Sequence, residues 1–118
     1  MSSAATEKVL LDTDIGTDVD DALTLAYLLM QPRCDLLGVT TVTGDGERRA
    51  KLASVLCRVA GVDVPIYPGP EQTMLIEQRE KYAPQADILA KWDHQSEFPR
   101  GQAIEFLRTT IRENPGEV

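Results

Sequence analysis

The sequence predicts an α/β fold, a Rossmann-like parallel sheet with flanking helices, on three observations. Short apolar runs of strand length alternate with longer stretches of helical periodicity. The helical stretches stop at Pro32, Gly61 and Pro115-Gly116. The first apolar run leads directly into an acid-rich turn, and the carboxyl ends of parallel strands are where such sheets bind ligands.

In chain order, residues 1–8 read as a polar leader, without the basic start and apolar core of a secretory signal. Val9-Leu10-Leu11 is a short strand covered on both faces. Ala22 to Met30 is apolar almost all round, which predicts a helix packed inside the fold. Leu36 to Val42 is a second strand, β-branched towards its end, followed by the turn Gly44-Asp45-Gly46. Arg48 to Ala60 is a second helix with Leu52, Val55, Leu56 and Val59 on one stripe and Gly61 as terminator. Val64 to Tyr67 is a third strand. Residues 71–100 lack a steady period and read as a long loop with one helical turn near Asp87 to Lys91, a length that usually carries function. Gln102 to Glu113 is a third helix on Ile104, Leu107 and Ile111. Glu117-Val118 then resembles the first step of another strand, so the βα repeat is expected to be truncated before the second half of the domain. The expected division is a leader over 1–8 and the N-terminal part of an α/β domain over 9–118.

Composition narrows the function. Of 118 residues, 42% are hydrophobic, and 12 Lys and Arg stand against 19 Asp and Glu, a formal charge of −7. With a pI near 4.6 the chain lacks the basic footprint of a nucleic-acid binder. Its longest apolar run, Ala22 to Met30, falls short of the ~20 residues that a bilayer requires. Cys34 and Cys57 are too few for a disulfide framework or zinc site; idle thiols in a reducing cytoplasm fit them.

Five of the 19 acidic residues occupy the ten positions from Asp12 to Asp21, with no basic residue among them. A strand places Asp12 and Asp14 on one side, and Asp20 and Asp21 open a helix whose N-terminus favours negative charge. Helix capping accounts for one or two of these acids. The remainder repel one another unless a cation or shared protons intervene. A hard divalent ion in an oxygen shell, calcium or magnesium, is the simplest remedy. The segment is not an EF-hand, because Thr17 and Leu23 stand where that loop needs Gly and Glu. A magnesium-dependent phosphohydrolase of the haloacid dehalogenase kind, which also follows a strand with Asp-x-Asp, is the alternative, as is a non-catalytic metal-binding fragment.

The run Leu10-Leu11-Asp12-Thr13-Asp14-Ile15-Gly16-Thr17-Asp18-Val19-Asp20-Asp21-Ala22-Leu23 resembles the N-terminal signature of the inosine-uridine-preferring nucleoside hydrolases. Leu37-Gly38-Val39-Thr40-Thr41-Val42-Thr43-Gly44-Asp45 is similar to that family's second strand and loop, and Ile111 to Val118 to a later helix-strand join. The resemblance implies calcium-dependent hydrolysis of the N-glycosidic bond of ribonucleosides by a homo-oligomeric parent, a dimer or tetramer. It implies that Asp14 ligates calcium and takes a proton from the attacking water. It makes Asp21 a second calcium ligand, Asp12 a supporting acid near the ion, and Asp20 the acceptor of ribose hydroxyls. Asp45 stands where the family commonly carries Asn, a second position for a ribose contact.

Five residues, Ile15 to Val19, separate the two Asp pairs here, more than in the best-known family form, so Asp18 is an additional acid. His94, the only histidine, marks a relic of a loop motif or an inert surface residue. Trp92 and Phe98 pin the long loop or meet a base. Arg48 and Arg49 oppose the helix dipole and are expected to reach solvent or pair with Glu47.

Overall fold

The computed structural model describes residues 5–118. Three parallel strands, β1 (Glu7–Thr13), β2 (Cys34–Thr41) and β3 (Ile66–Pro68), lie in the order β1-β2-β3. Helices α1 (Val19–Met30), α2 (Gly46–Ala60) and α3 (Ala103–Glu113) accompany them. The alternation follows from β-branched runs that pack on a pleat and helical stretches cut by Pro and Gly. The sheet register sets Asp12 beside Thr40 and Thr13 beside Thr41, so β1 and β2 end together and the acidic turn leaves from their shared carboxyl edge.

Several expected boundaries move. Residues 1–4 of the expected leader lie outside the described residues, but Glu7 and Lys8 already belong to β1. The Glu7 N–H donates to the Arg33 carbonyl, and Lys8 Nζ reaches Asn114 Oδ1 and Glu117 Oε2, tying the start of β1 to the end of α3. β3 begins at Ile66 rather than Val64, because Pro65 offers the sheet only its carbonyl, taken by the Val39 N–H. Instead of one turn near Asp87, a 3₁₀ segment spans Pro84–Lys91, started by the proline. Asn114 to Glu117 form a turn, not the start of a strand; the Glu117 N–H closes it on the Asn114 carbonyl.

The core joins Ile15, Leu25, Val39, Ala50, Ala53, Cys57, Ile66 and Phe98. Phe98 thus pins the long loop, while Trp92 is half exposed. α1 is not packed inside: only Leu25 is fully buried, and Val19, Leu23, Tyr27 and Met30 are exposed. Only one side of α1 meets α2 and β2, so its apolar circumference exceeds what its neighbours cover. On α2 the buried side is broader than the expected stripe and includes Ala50, Ala53 and Cys57, with Val59 exposed. On α3, Ile104 and Ile111 are exposed; Phe106 instead stacks on Tyr67, ring centroids 4.3 Å apart. Among the described residues no helix is long and apolar enough to cross a membrane.

Burial pushes the Cys57 thiol up to about 11. At pH 8 about one such thiol in a thousand is ionised. Iodoacetamide at that pH is therefore expected to spare Cys57 in the folded chain and to label the half-buried Cys34. Peptide mass spectrometry checks this; equal labelling of the two would contradict the burial of Cys57.

Candidate active site

The acidic turn is built from the end of β1 and the start of α1. Asp12 is the penultimate residue of β1, Asp14 follows the strand, and Asp21 lies in the first turn of α1. Asp21 Oδ2 accepts hydrogen bonds from Thr13 Oγ1 (2.6 Å) and from the Asp14 N–H (3.1 Å). These bonds fold the strand end back onto the helix. Asp18 occupies the N-cap position of α1 without making a side-chain capping bond, so Asp21 is not spare capping charge; it organises the turn. Asp12 Oδ1 accepts from Thr40 Oγ1 at 2.7 Å across the β1–β2 ladder.

Asp12, Asp14 and Asp21 line one open cleft of about 510 Å³, together with Thr43, Met74 and Gln78. Of the five residues singled out by resemblance, these three come together. Asp20 stands exposed one residue before Asp21, its carbonyl accepting from Thr24 Oγ1. Asp45 is drawn aside: its Oδ2 accepts from Arg48 Nη1 at 3.4 Å and from the Ala83 N–H at 3.3 Å, and it bounds an adjoining cleft with Glu71 and Gln78. His94 is held by its own neighbourhood, Nδ1 against the Trp92 carbonyl at 2.9 Å, and does not line the acidic cleft. A separate apolar cleft between α1, α2 and the 3₁₀ segment, lined by Ile15, Leu52, Val55 and Ile88, carries one polar side chain, Gln85.

The two central carboxyl groups titrate against each other. The hydrogen bond with Asp21, followed by desolvation and the charge of Asp21, raises Asp14 above the usual carboxylate range. The same bond lowers Asp21, helped by Thr13 and the Asp14 N–H. Below the raised value of Asp14, one proton shared between the two carboxyls relieves their repulsion in the absence of a cation. The chemistry of this donor set therefore fits a hard divalent ion in place of that proton. Among the described residues no three Asp, Glu, His or Cys side chains close round a single point, so carbonyl, water or further oxygens must complete any shell.

Sequence reasoning missed two contributors. Thr43 holds a left-handed backbone (φ 72°) that β-branched residues rarely adopt, and its hydroxyl donates to Gln78 Oε1 at 2.9 Å. That bond brings the loop segment over the cleft. Arg49 does not reach solvent or pair with Glu47; it is completely buried, and Glu47 pairs with Arg100 instead. A cation near a helix N-terminus gains nothing from the dipole, but backbone carbonyls crowd this position and satisfy it.

A model of the family described as inosine-uridine preferring nucleoside hydrolase matches residues 9–118. The chain belongs to this family. It is 38% identical over 65 residues to an uncharacterized protein of Corynebacterium ammoniagenes, covering 52% of this chain and 68% of that protein. It is 34% identical over 73 residues to the pyrimidine-specific ribonucleoside hydrolase RihB of Escherichia coli strain SE11, covering 60% of this chain and 23% of RihB. The solved structure of a plant nucleoside hydrolase, the PpNRh1 enzyme, is similar with a TM-score of 0.74 at 25% identity. That likeness covers 94% of this chain and 37% of the plant enzyme, so the chain spans well under half of either named hydrolase. Nucleoside hydrolase membership leaves the phosphohydrolase alternative without support, and the parallel sheet with its flanking helices is the fold that the plant enzyme shares.

Proposed function

We propose that this chain supplies the calcium- and ribose-binding turn of an enzyme that hydrolyses the N-glycosidic bond of ribonucleosides. The observation that carries the reading is the Asp14–Asp21 pair, hydrogen-bonded at the carboxyl edge of β1 in a chain of this family. Asp14, Asp21 and, behind them, Asp12 are the residues that would hold calcium. The ion, when bound, lowers the pKa of its water and holds the ribose diol.

The chain's own residues do the rest. Asp14 accepts the proton that water loses as its oxygen bonds to the anomeric carbon and the bond from that carbon to the base nitrogen breaks. The negative charge of the turn stabilises the oxocarbenium-like sugar formed as the base departs. Asp20, one residue before Asp21, accepts ribose hydroxyls and fixes the sugar against the water. Asp45, which bounds the adjoining cleft across Gln78, is the second candidate for the sugar. The acid that protonates the departing base is not among these residues.

RihB is named pyrimidine-specific, which makes uridine the first substrate to test, with inosine beside it. Calorimetric titration of the 118-residue chain with calcium is expected to show one binding event. Ribose released from uridine and inosine is followed by a reducing-sugar assay, and phosphate from a phosphoester serves as the contrary test. Calcium uptake with little ribose release is expected of this chain by itself. The reading fails if calcium does not bind, or if phosphate is released and ribose is not.

A further inference from the structure

We propose that Arg49 is a positioning residue for the acidic turn: by drawing the carbonyls of Asp14 and Ile15 inward, it turns the Asp14 carboxyl group outward to Asp21 and the cleft. Arg49 is the one charged side chain among the buried residues described, and it is fully excluded from solvent. Its guanidinium meets no carboxylate. Nη1 donates to the Asp14 carbonyl (2.7 Å), the Ile15 carbonyl (3.2 Å) and Thr17 Oγ1 (2.8 Å). Nε donates to the Gly44 carbonyl and Nη2 to the Tyr82 carbonyl, at 2.7 and 2.8 Å.

A buried cation that touches no carboxylate is retained where its nitrogens find acceptors, and here three separate turns give each guanidinium nitrogen at least one. They are the turn after β1, the turn after β2 and the loop before the 3₁₀ segment. The residues between Asp14 and α1 are arranged to suit. Ile15 goes into the core, Gly16 takes a positive φ of 123° at a place where an added Cβ would lie 2.9 Å from Ala83 Cβ, and Thr17 presents its hydroxyl to the guanidinium. With the carbonyls of Asp14 and Ile15 committed to Arg49, the turn offers the cleft carboxylates and not main-chain oxygens. Lysine cannot replace this arrangement, because three different guanidinium nitrogens meet the Gly44, Asp14 and Tyr82 carbonyls.

The functional consequence rests on the proposed reading of Asp14 and Asp21 as ion-binding groups; the positioning itself does not. The test therefore has two readouts on the 118-residue chain. In ion-free Arg49→Lys, the Asp14 amide, which donates to Asp21 Oδ2, is expected to exchange its hydrogen roughly tenfold faster while α3 amides are unchanged. Calorimetry with calcium is expected to show roughly tenfold weaker binding than in the parent chain. Phe106→Leu, which loosens α3 against Tyr67 and touches none of the guanidinium's partners, is the stability control and should alter neither readout at the Asp14 turn. Thr17→Val, which deletes one partner only, gives the same local signature at smaller amplitude if the lysine variant fails to fold. Uniform acceleration of all amides, or unchanged exchange at Asp14, would overturn the proposal. Local acceleration at Asp14 in a chain whose parent form binds no calcium would support the positioning and reject the calcium reading instead.

Discussion

Asp14→Asn is expected to abolish calcium binding and, in the same protein freed of the ion, to raise the melting temperature at neutral pH. Asp14 is raised by its hydrogen bond with Asp21, so its protonated form is the one the ion-free fold prefers. The contribution of Asp14 to stability is therefore complete below its ordinary value of 3.8 and is lost as pH rises through the raised folded value. Asp21 has the opposite sign: it is lowered, stabilises the fold above 3.8, and ceases to do so as pH falls through its depressed value. As pH rises through the raised value, Asp14 loses its proton beside the ionised Asp21, and an amide at position 14 removes that repulsion while keeping a hydrogen-bonding group for Asp21. Near pH 3 the parent Asp14 is already protonated, and the gain should vanish.

Calcium reverses the ranking. Bound at a hundredfold excess over its dissociation constant, a ligand stabilises the native state by about 2.7 kcal/mol. The parent should therefore melt higher in calcium than in chelator, and the variant should melt alike in both. Scanning calorimetry of both proteins at pH 3 and pH 7, with chelator and with calcium, gives the full comparison. A variant less stable than its parent at pH 7 in chelator, or one still stabilised by calcium, would refute the pairing of these two acids.

Gly69→Ala is expected to destabilise the fold by about 3 kcal/mol or more, lowering the melting temperature on the order of 10 °C. A Cβ at this position would lie 2.0 Å from the Thr41 carbonyl oxygen, which is backbone at the end of β2 and cannot rotate away. The close approach is used twice. The Gly69 N–H donates to Thr41 Oγ1, and that hydroxyl donates in turn to the Gly46 carbonyl at the start of α2. One residue on, the Pro70 carbonyl accepts from the Thr43 N–H. Displacing Gly69 therefore shifts the strand end that carries Val42 and Thr43 to the acidic cleft, so calcium affinity should fall along with stability. Gly101→Ala is the control: Gly101 has a positive φ of 70° but nothing within 4 Å of the added carbon. Only the left-handed penalty of about 1 kcal/mol should appear there. Equal losses at the two glycines would show that the Thr41 contact is not what limits Gly69.

These expectations draw on features of different legibility. That β1 ends in an acid-rich turn, that β2 lies parallel to β1, and that Gly61 stops α2 in a left-handed cap were all readable from residue order. Strand and helix periods, turn residues and the crowding of like charge are local properties, and locality is what a sequence displays. The meeting of Asp12, Asp14 and Asp21 follows the same logic, since a strand end and the helix after it need only one short turn to face each other.

Beyond that range the local pattern misled. The apolar circumference of α1 pointed to an interior helix, yet hydrophobicity states how much surface could be buried and not which neighbours stand near enough to bury it. For Asp45 the motif was legible in the sequence, whereas the bonds its carboxylate accepts from Arg48 and the Ala83 N–H were not. Arg49 is the clearest case. On its helix it is one more cation where the dipole is unfavourable, and it becomes the internal brace of the site only because carbonyls 33 to 35 residues away and the Thr17 hydroxyl, 32 away, converge on it. Residue order set the charge that must be neutralised; the packing of one neighbouring and two distant turns chose which side chain would hold that charge in place, because hydrogen-bond acceptors for a buried cation exist only after those turns have come together.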